Sequence, residues 1–241
     1  MWFAEGNQSA RATFTLLGFS EYPNIQVPLF LAFLTVYAVT MMGNLCMITI
    51  NRISPKLHIP MYFFLSHLSF IDFCYSTTVT PKLLENLVVE DRTISFTGCI
   101  MQFSLACMFA VAETFMLAVM AYDQFVAVCK PLLYTAVMSP KLCASLVACP
   151  YTWETLTCFL LELSFCGSNI INNFLCEQSA IVSVSCSDPF ISQVLSFAIA
   201  ILNEVSSLAI ILTTCISIFV TIIKMSSAGD SKQPSLLVPP I

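Results

Sequence analysis

Val27 to Ile50 is a run of 24 residues without one charged side chain, closed by Asn51 and Arg52. At 1.5 Å of rise per residue, a helix of this length covers roughly 36 Å, more than the ~30 Å hydrocarbon core of a bilayer. Inside lipid no water satisfies backbone amides, so a single segment that crosses must be helical. Four further apolar stretches follow. Residues 59–79 carry His67 and Asp72 and are closed by Pro81, and residues 99–122 hold Glu113 as their sole charge. Residues 142–163 contain Pro150, Glu154 and Glu162, and residues 194–223 hold only Glu204. The pattern predicts an all-α integral membrane protein: a segment 1–26, a helical domain 27–223 whose helices span about 27–50, 59–79, 99–122, 142–163 and 194–223, and a tail 224–241.

Composition agrees, with 58% hydrophobic and only 10% charged residues, where soluble domains carry about a quarter charged. A formal charge of -5 leaves no basic patch for phosphates, which excludes nucleic acid as a partner. The twelve cysteines show no paired zinc spacing, and most sit in apolar runs as small buried hydrophobes. Met1 to Phe14 lacks the basic and apolar regions of a cleavable signal, so the first spanning helix must do the targeting. No GxSxG elbow, Walker loop, HExxH or dinucleotide fingerprint occurs, and His58 and His67 are the only histidines. Nor are Glu113 and Asp123 a catalytic pair, since ten helical residues separate them by about 15 Å. The chain has no catalytic site and no cofactor or metal site of an enzyme.

Basic residues in short loops stay on the cytoplasmic side. Arg52, Lys56, Lys130, Lys141, Lys224 and Lys232, six of the nine, fall on one side of the five crossings. The opposite loops hold Glu85, Glu90, Asp91, Glu177 and Asp188 against Lys82 and Arg92. The N-terminus is therefore expected outside, which makes the Asn7-Gln8-Ser9 sequon usable. It also puts Cys99, Cys166, Cys176 and Cys186 in oxidising space, where four thiols permit three pairings.

Five patches then occur in order: Gly43-Asn44; Pro60-Met61-Tyr62-Phe63-Phe64-Leu65-Ser66 with Asp72; Met120-Ala121-Tyr122-Asp123-Gln124-Phe125-Val126-Ala127-Val128-Cys129-Lys130-Pro131-Leu132-Leu133-Tyr134; Ser164-Phe165-Cys166-Gly167; and Ile218 to Met225. Together they resemble the vertebrate odorant receptors, a group of rhodopsin-like G-protein-coupled receptors. The resemblance runs to about Gly229.

It implies a bundle of the seven-transmembrane receptor type, binding small volatile, mostly apolar odorants and signalling through a heterotrimeric G protein. It pairs Cys99 with Cys176 and Cys166 with Cys186, a lid over the helix ends. In the ligand site it places Ala106, Cys107, Ala110 and Val111 on the third helix with Ile199 and Asn203 on the fifth. Each of these also suits ordinary helix packing. Asp123, Gln124 and Phe125 fall on the G-protein-coupling motif. Asp72 and Glu113 fall on a cation site, where two acids either hold a sodium ion or are hydrogen-bonded separately. His67 lies in the family's own motif as a helix-packing residue. The plasma membrane is the expected location, with lipid around the helices.

The chain also departs from the family. An arginine follows the Asp of the third-helix motif in related receptors, locks to it at rest, and reaches a fifth-helix tyrosine when active. Here those positions hold Gln124 and Cys215. Seven crossings are expected and five are present. Gln233 to Pro240 can be encoded so that reading two bases later spells Ala-Phe-Ser-Thr-Cys-Ala-Ser, the family's opening of helix 6, so the tail reads as a shifted frame. Two functions therefore stand: an odorant receptor coupled to a G protein, or a truncated, non-signalling product of such a gene, retained in the endoplasmic reticulum.

Overall fold

The computed structural model describes residues 13–16, 23–54, 59–89, 93–160, 170–171 and 189–230. Helix α1, Pro23–Ile53, covers the uncharged run, and α2 is Pro60–Val88. Helix α3 is Phe96–Cys129, followed by a 3-10 turn at Pro131–Leu133 and the short α4, Tyr134–Val137. Helix α5 is Pro140–Leu160 and α6 is Pro189–Asp230. Each is longer than its lipid-spanning expectation where its ends are described, because helices continue past the hydrocarbon boundary into polar sequence.

Three of these helices are long and apolar enough to cross a membrane, over Ile25–Ile53, Gly98–Cys129 and Phe197–Met225. A fourth crossing follows if the pieces 131–137 and 140–157, bent by 67°, count as one. Helix α2 falls short on apolarity because His67 and Asp72 interrupt it.

Three departures from the sequence reading concern boundaries. Pro81 does not close the second helix: α2 runs through it to Val88. A proline removes one backbone hydrogen bond, which packed neighbours in a membrane bundle tolerate. Likewise α5 continues through Pro150, which is fully buried. Lys224 to Asp230, expected as the start of the tail, continues α6.

The described residues are helical apart from short connections and a small sheet that the all-α expectation did not contain. Its strands are β1 at Thr13–Leu16, β2 at Thr93–Ser95 and β3 at Ile170–Ile171, in the order β2-β1-β3. Phe14 lies opposite Ile94 in the antiparallel pair, and Thr15 lies opposite Ile170 in the parallel one. Because β2 leads directly into α3, the sheet sits at the α3 entrance and draws three distant chain segments there. Ser95 caps α3, its hydroxyl accepting from the Gly98 amide at 3.1 Å. A Cβ at Gly98 would come within 2.9 Å of that oxygen, so this cap needs glycine.

Helix α3 is central and packs against α2, α5 and α6, while α1 packs on α2. The buried cluster joins Phe64 and Ile71 of α2, Phe109, Ala112, Met116 and Val119 of α3, and Cys143 of α5. Within lipid the hydrophobic effect does not distinguish such contacts from acyl chains, so close packing and interhelical hydrogen bonds must hold the bundle. Gln102 Nε2 donates to the Thr78 carbonyl at 3.2 Å between α3 and α2. Asn51 Nδ2 donates to the Tyr62 carbonyl at 3.3 Å between α1 and α2.

Candidate ligand and coupling site

Helix α6 presents to α3 a stripe at helical spacing: Ile199, Asn203, Ser207, Thr214, Ile218 and Thr221, all buried or half-buried. Polar ties cross this seam at two levels. Asn203 Nδ2 donates to Thr114 Oγ1 at 3.4 Å, and Thr114 itself donates to the Val111 carbonyl at 3.0 Å. Fifteen residues further along α3, roughly 22 Å at helical rise, Cys129 Sγ lies 3.2 Å from Thr221 Oγ1. The ties advance in the same direction on both helices, so α3 and α6 run parallel.

The six residues expected at the ligand site sit on this seam. Ala106, Cys107, Ala110 and Val111 on α3 and Ile199 and Asn203 on α6 are all half-buried. Ile199 lies one turn before Asn203, at the depth of Ala110. The stretch is apolar but for the Asn203 and Thr114 pair and the half-buried Cys107. A separate cleft, lined by Tyr151, Thr152, Thr155 and Leu156, lies along α5 and holds none of the expected residues.

Glu113 on α3 feels the charge of Asp72 on α2 and also that of Glu204 on α6. Glu204 therefore lies within electrostatic reach of Glu113, one member of the expected pair. Among the described residues no group of three or more histidine, cysteine or acidic side chains is placed to hold a metal ion. His67 packs between helices: its Nε2 lies 3.3 Å from Tyr151 Oη of α5, and its ring lies flat against Phe63.

At the other end of α3, Asp123 is 1% exposed and accepts a hydrogen bond from Tyr134 Oη at 3.0 Å. Gln124 beside it points outward and is exposed. Phe125 is half-buried, with Lys130 Nζ 5.7 Å from its ring centroid. Leu132 on the following turn is 95% exposed. Cys215 is exposed on α6.

At the α3 entrance Cys99 is fully buried and disulfide-bonded. Its partner lies outside the described residues, as do Cys166, Cys176, Cys186 and Asn7.

The olfactory receptor family profile matches residues 33–237. The chain belongs to the olfactory receptor family. Olfactory receptor 5D13 of Homo sapiens is 69% identical over 238 residues, which cover 97% of this chain and 76% of that protein. Olfactory receptor 1165 of Mus musculus is 62% identical over 233 residues, covering 95% and 74%. Squid rhodopsin shares the fold at a TM-score of 0.68 and 15% identity, over 87% of this chain and 56% of that one. This olfactory receptor is thus a multi-pass membrane protein and a receptor, not an enzyme.

The sequence reading named Tyr134 and Glu204 without giving either a role in a site. Tyr134 closes the third-helix motif, and Glu204 is the one charge in the last apolar stretch. Those two signals were available.

Proposed function

We propose that this receptor takes a small, mostly apolar odorant between α3 and α6 and passes the signal to a heterotrimeric G protein at the far end of α3. The observation that carries the reading is the seam itself: Ala106, Cys107, Ala110, Val111 and Ile199 line up with a single polar pair, Asn203 and Thr114. Apolar walls with one or two polar groups suit a small hydrophobic ligand, which the walls desolvate and the polar pair orients. On the partner side, Leu132 stands 95% exposed on a turn that Tyr134 pins to Asp123. Leu133 beside it is 55% exposed, and two leucines held out on a pinned turn suit burial in an apolar pocket of a protein partner.

The same reading puts the N-terminus outside, a glycan on Asn7, Cys99 bridged to Cys176 with Cys166 bridged to Cys186, and the chain at the plasma membrane. A sodium ion is placed between Asp72 and Glu113. A hard cation takes oxygen ligands, and these two carboxyls offer them.

A second reading, a chain that binds but does not signal, is favoured by Gln124 and Cys215. Both are exposed, and neither can supply the charge or the phenol of the usual activation contact.

Ligand binding can be tested apart from signalling through Cys107. In membranes holding the full chain, a saturating panel of volatile alcohols, aldehydes and esters should slow alkylation of Cys107 by a permeant thiol reagent. Alkylation of the exposed Cys46 should be unchanged. If no member of the panel protects Cys107, the α3 and α6 seam is not the ligand site.

A further inference from the structure

Strand β1 is the middle strand of the sheet and is tied on both sides. Thr13, Phe14 and Thr15 lie opposite Ser95, Ile94 and Thr93 on one side, and Thr15 and Leu16 lie opposite Ile170 and Ile171 on the other. Ser95 belongs to both the sheet and the helix, since it pairs with Thr13 and caps α3 through the Gly98 amide. Through β1, therefore, Ile170 and Ile171 from between α5 and α6 are held to the first turn of α3.

That first turn is also the mouth of the α3 and α6 seam. Asn203 bonds Thr114 on a parallel helix, so Pro189 at the start of α6, fourteen residues before Asn203, lies level with Ile100, fourteen before Thr114. The sheet ends at Ser95, just beyond that level. Ala106 lies six residues past Ile100, roughly 9 Å at helical rise, so a ligand entering from water beside the α3 entrance passes the sheet before it reaches Ala106, Cys107 and Ala110.

Two ties hold this mouth, and they differ in kind. Cys99, one turn past Ser95, is fully buried and disulfide-bonded, which is a covalent tie. The strand pairing is a ladder of three positions on one side and two on the other. Ladders this short are marginal by themselves and open before packed helices do.

From this arrangement we infer that β1 is a releasable strap across the mouth of the seam: paired, it slows exchange of odorant between the seam and water, and unpaired, it lets the odorant pass. The inference rests on the seam being the ligand site, and labelling with and without odorant separates the two.

Phe14→Cys with Ile94→Cys, and separately Thr15→Cys with Thr93→Cys, place thiols at directly opposite positions. Neighbouring antiparallel pairs alternate between wide and close spacing, so one of the two double variants suits a disulfide. In membranes holding the full chain, that variant should link on mild oxidation. Its Cys107, followed by peptide mapping, should then react with a water-soluble, membrane-impermeant thiol reagent about tenfold more slowly than in the parent. Each single variant should react at the parent rate. Phe14→Pro acts in the opposite direction, because every amide of a middle strand faces one neighbour or the other and proline removes that ladder bond. Cys107 should then react about five- to tenfold faster, and a saturating odorant should still protect it, which shows the seam intact. The inference fails if neither double variant links, or if the linked chain reacts at the parent rate, since unfolding can speed labelling but a link cannot slow it unless the strap covers the mouth. It fails equally if Phe14→Pro reacts at the parent rate. Rates that shift as stated while no odorant protects Cys107 in the parent would overturn the ligand reading, and with it the part of the strap in odorant exchange.

Discussion

Tyr134 Oη donates to Asp123 Oδ1 at 3.0 Å and so fastens the turn after α3 to the last turns of α3 itself. The carboxyl is almost completely buried and Gln124 beside it faces away, so the phenol carries the satisfaction of that acid. Removing the donor strands a buried acceptor, at a cost of about 1.5–3 kcal/mol for a bond to a charged group. Tyr134→Phe should therefore lower the thermal midpoint of the detergent-solubilised chain. Tyr122→Phe, at an exposed position, should not. Equal midpoints for Tyr134→Phe and the parent would remove this bond from the account.

Asn203 and Thr114 offer a test of the seam. Interhelical hydrogen bonds in membranes average about 0.6 kcal/mol and reach about 1.7. A double-mutant cycle with Asn203→Leu and Thr114→Val should give a coupling of about that size. Asn203→Leu should also shift ligand preference toward less polar odorants, because the one polar group of the α6 wall is gone. Strict additivity of the two substitutions would mean the residues do not interact.

Cys99 carries the clearest prediction for the outer end. Its thiol should resist alkylation until a reductant is added, and non-reducing digestion should yield its peptide joined to that of Cys176. Cys176→Ser should free Cys99, while Cys166→Ser should not. A Cys99 peptide found with Cys166 or Cys186 would replace the proposed pairing with another of the three.

Much of the bundle was legible because lipid imposes a simple demand: a crossing segment must be long, apolar and helical. Val27 to Ile50 announces α1 by that rule alone. Pro81 misled because propensity rules describe isolated helices, whereas α2 has α1 and α3 packed against it. The sheet was hidden because Phe14, Ile94 and Ile170 are far apart in sequence and short strands carry almost no periodic signal. Asp72 and Glu113 stood out as charges in apolar runs. That Glu204 comes within reach of Glu113 follows from how α6 is rotated against α3, which spacing along one helix does not specify. Tyr134 was hidden for the same reason, since its partner is set by the angle of the turn after Lys130.

The central claim is that α3 senses ligand along α6 and reports it at its far end, with Gln124 weakening the report. The most direct test is cyclic-AMP dose-response in cells, on surface-verified full chains, using an odorant that protects Cys107. The parent should respond weakly, Gln124→Arg should raise the maximal response several-fold at similar potency, and Leu132→Ala in that background should abolish it. A strong parent response that neither substitution changes, or silence from parent and Gln124→Arg alike at equal surface level, would contradict the account.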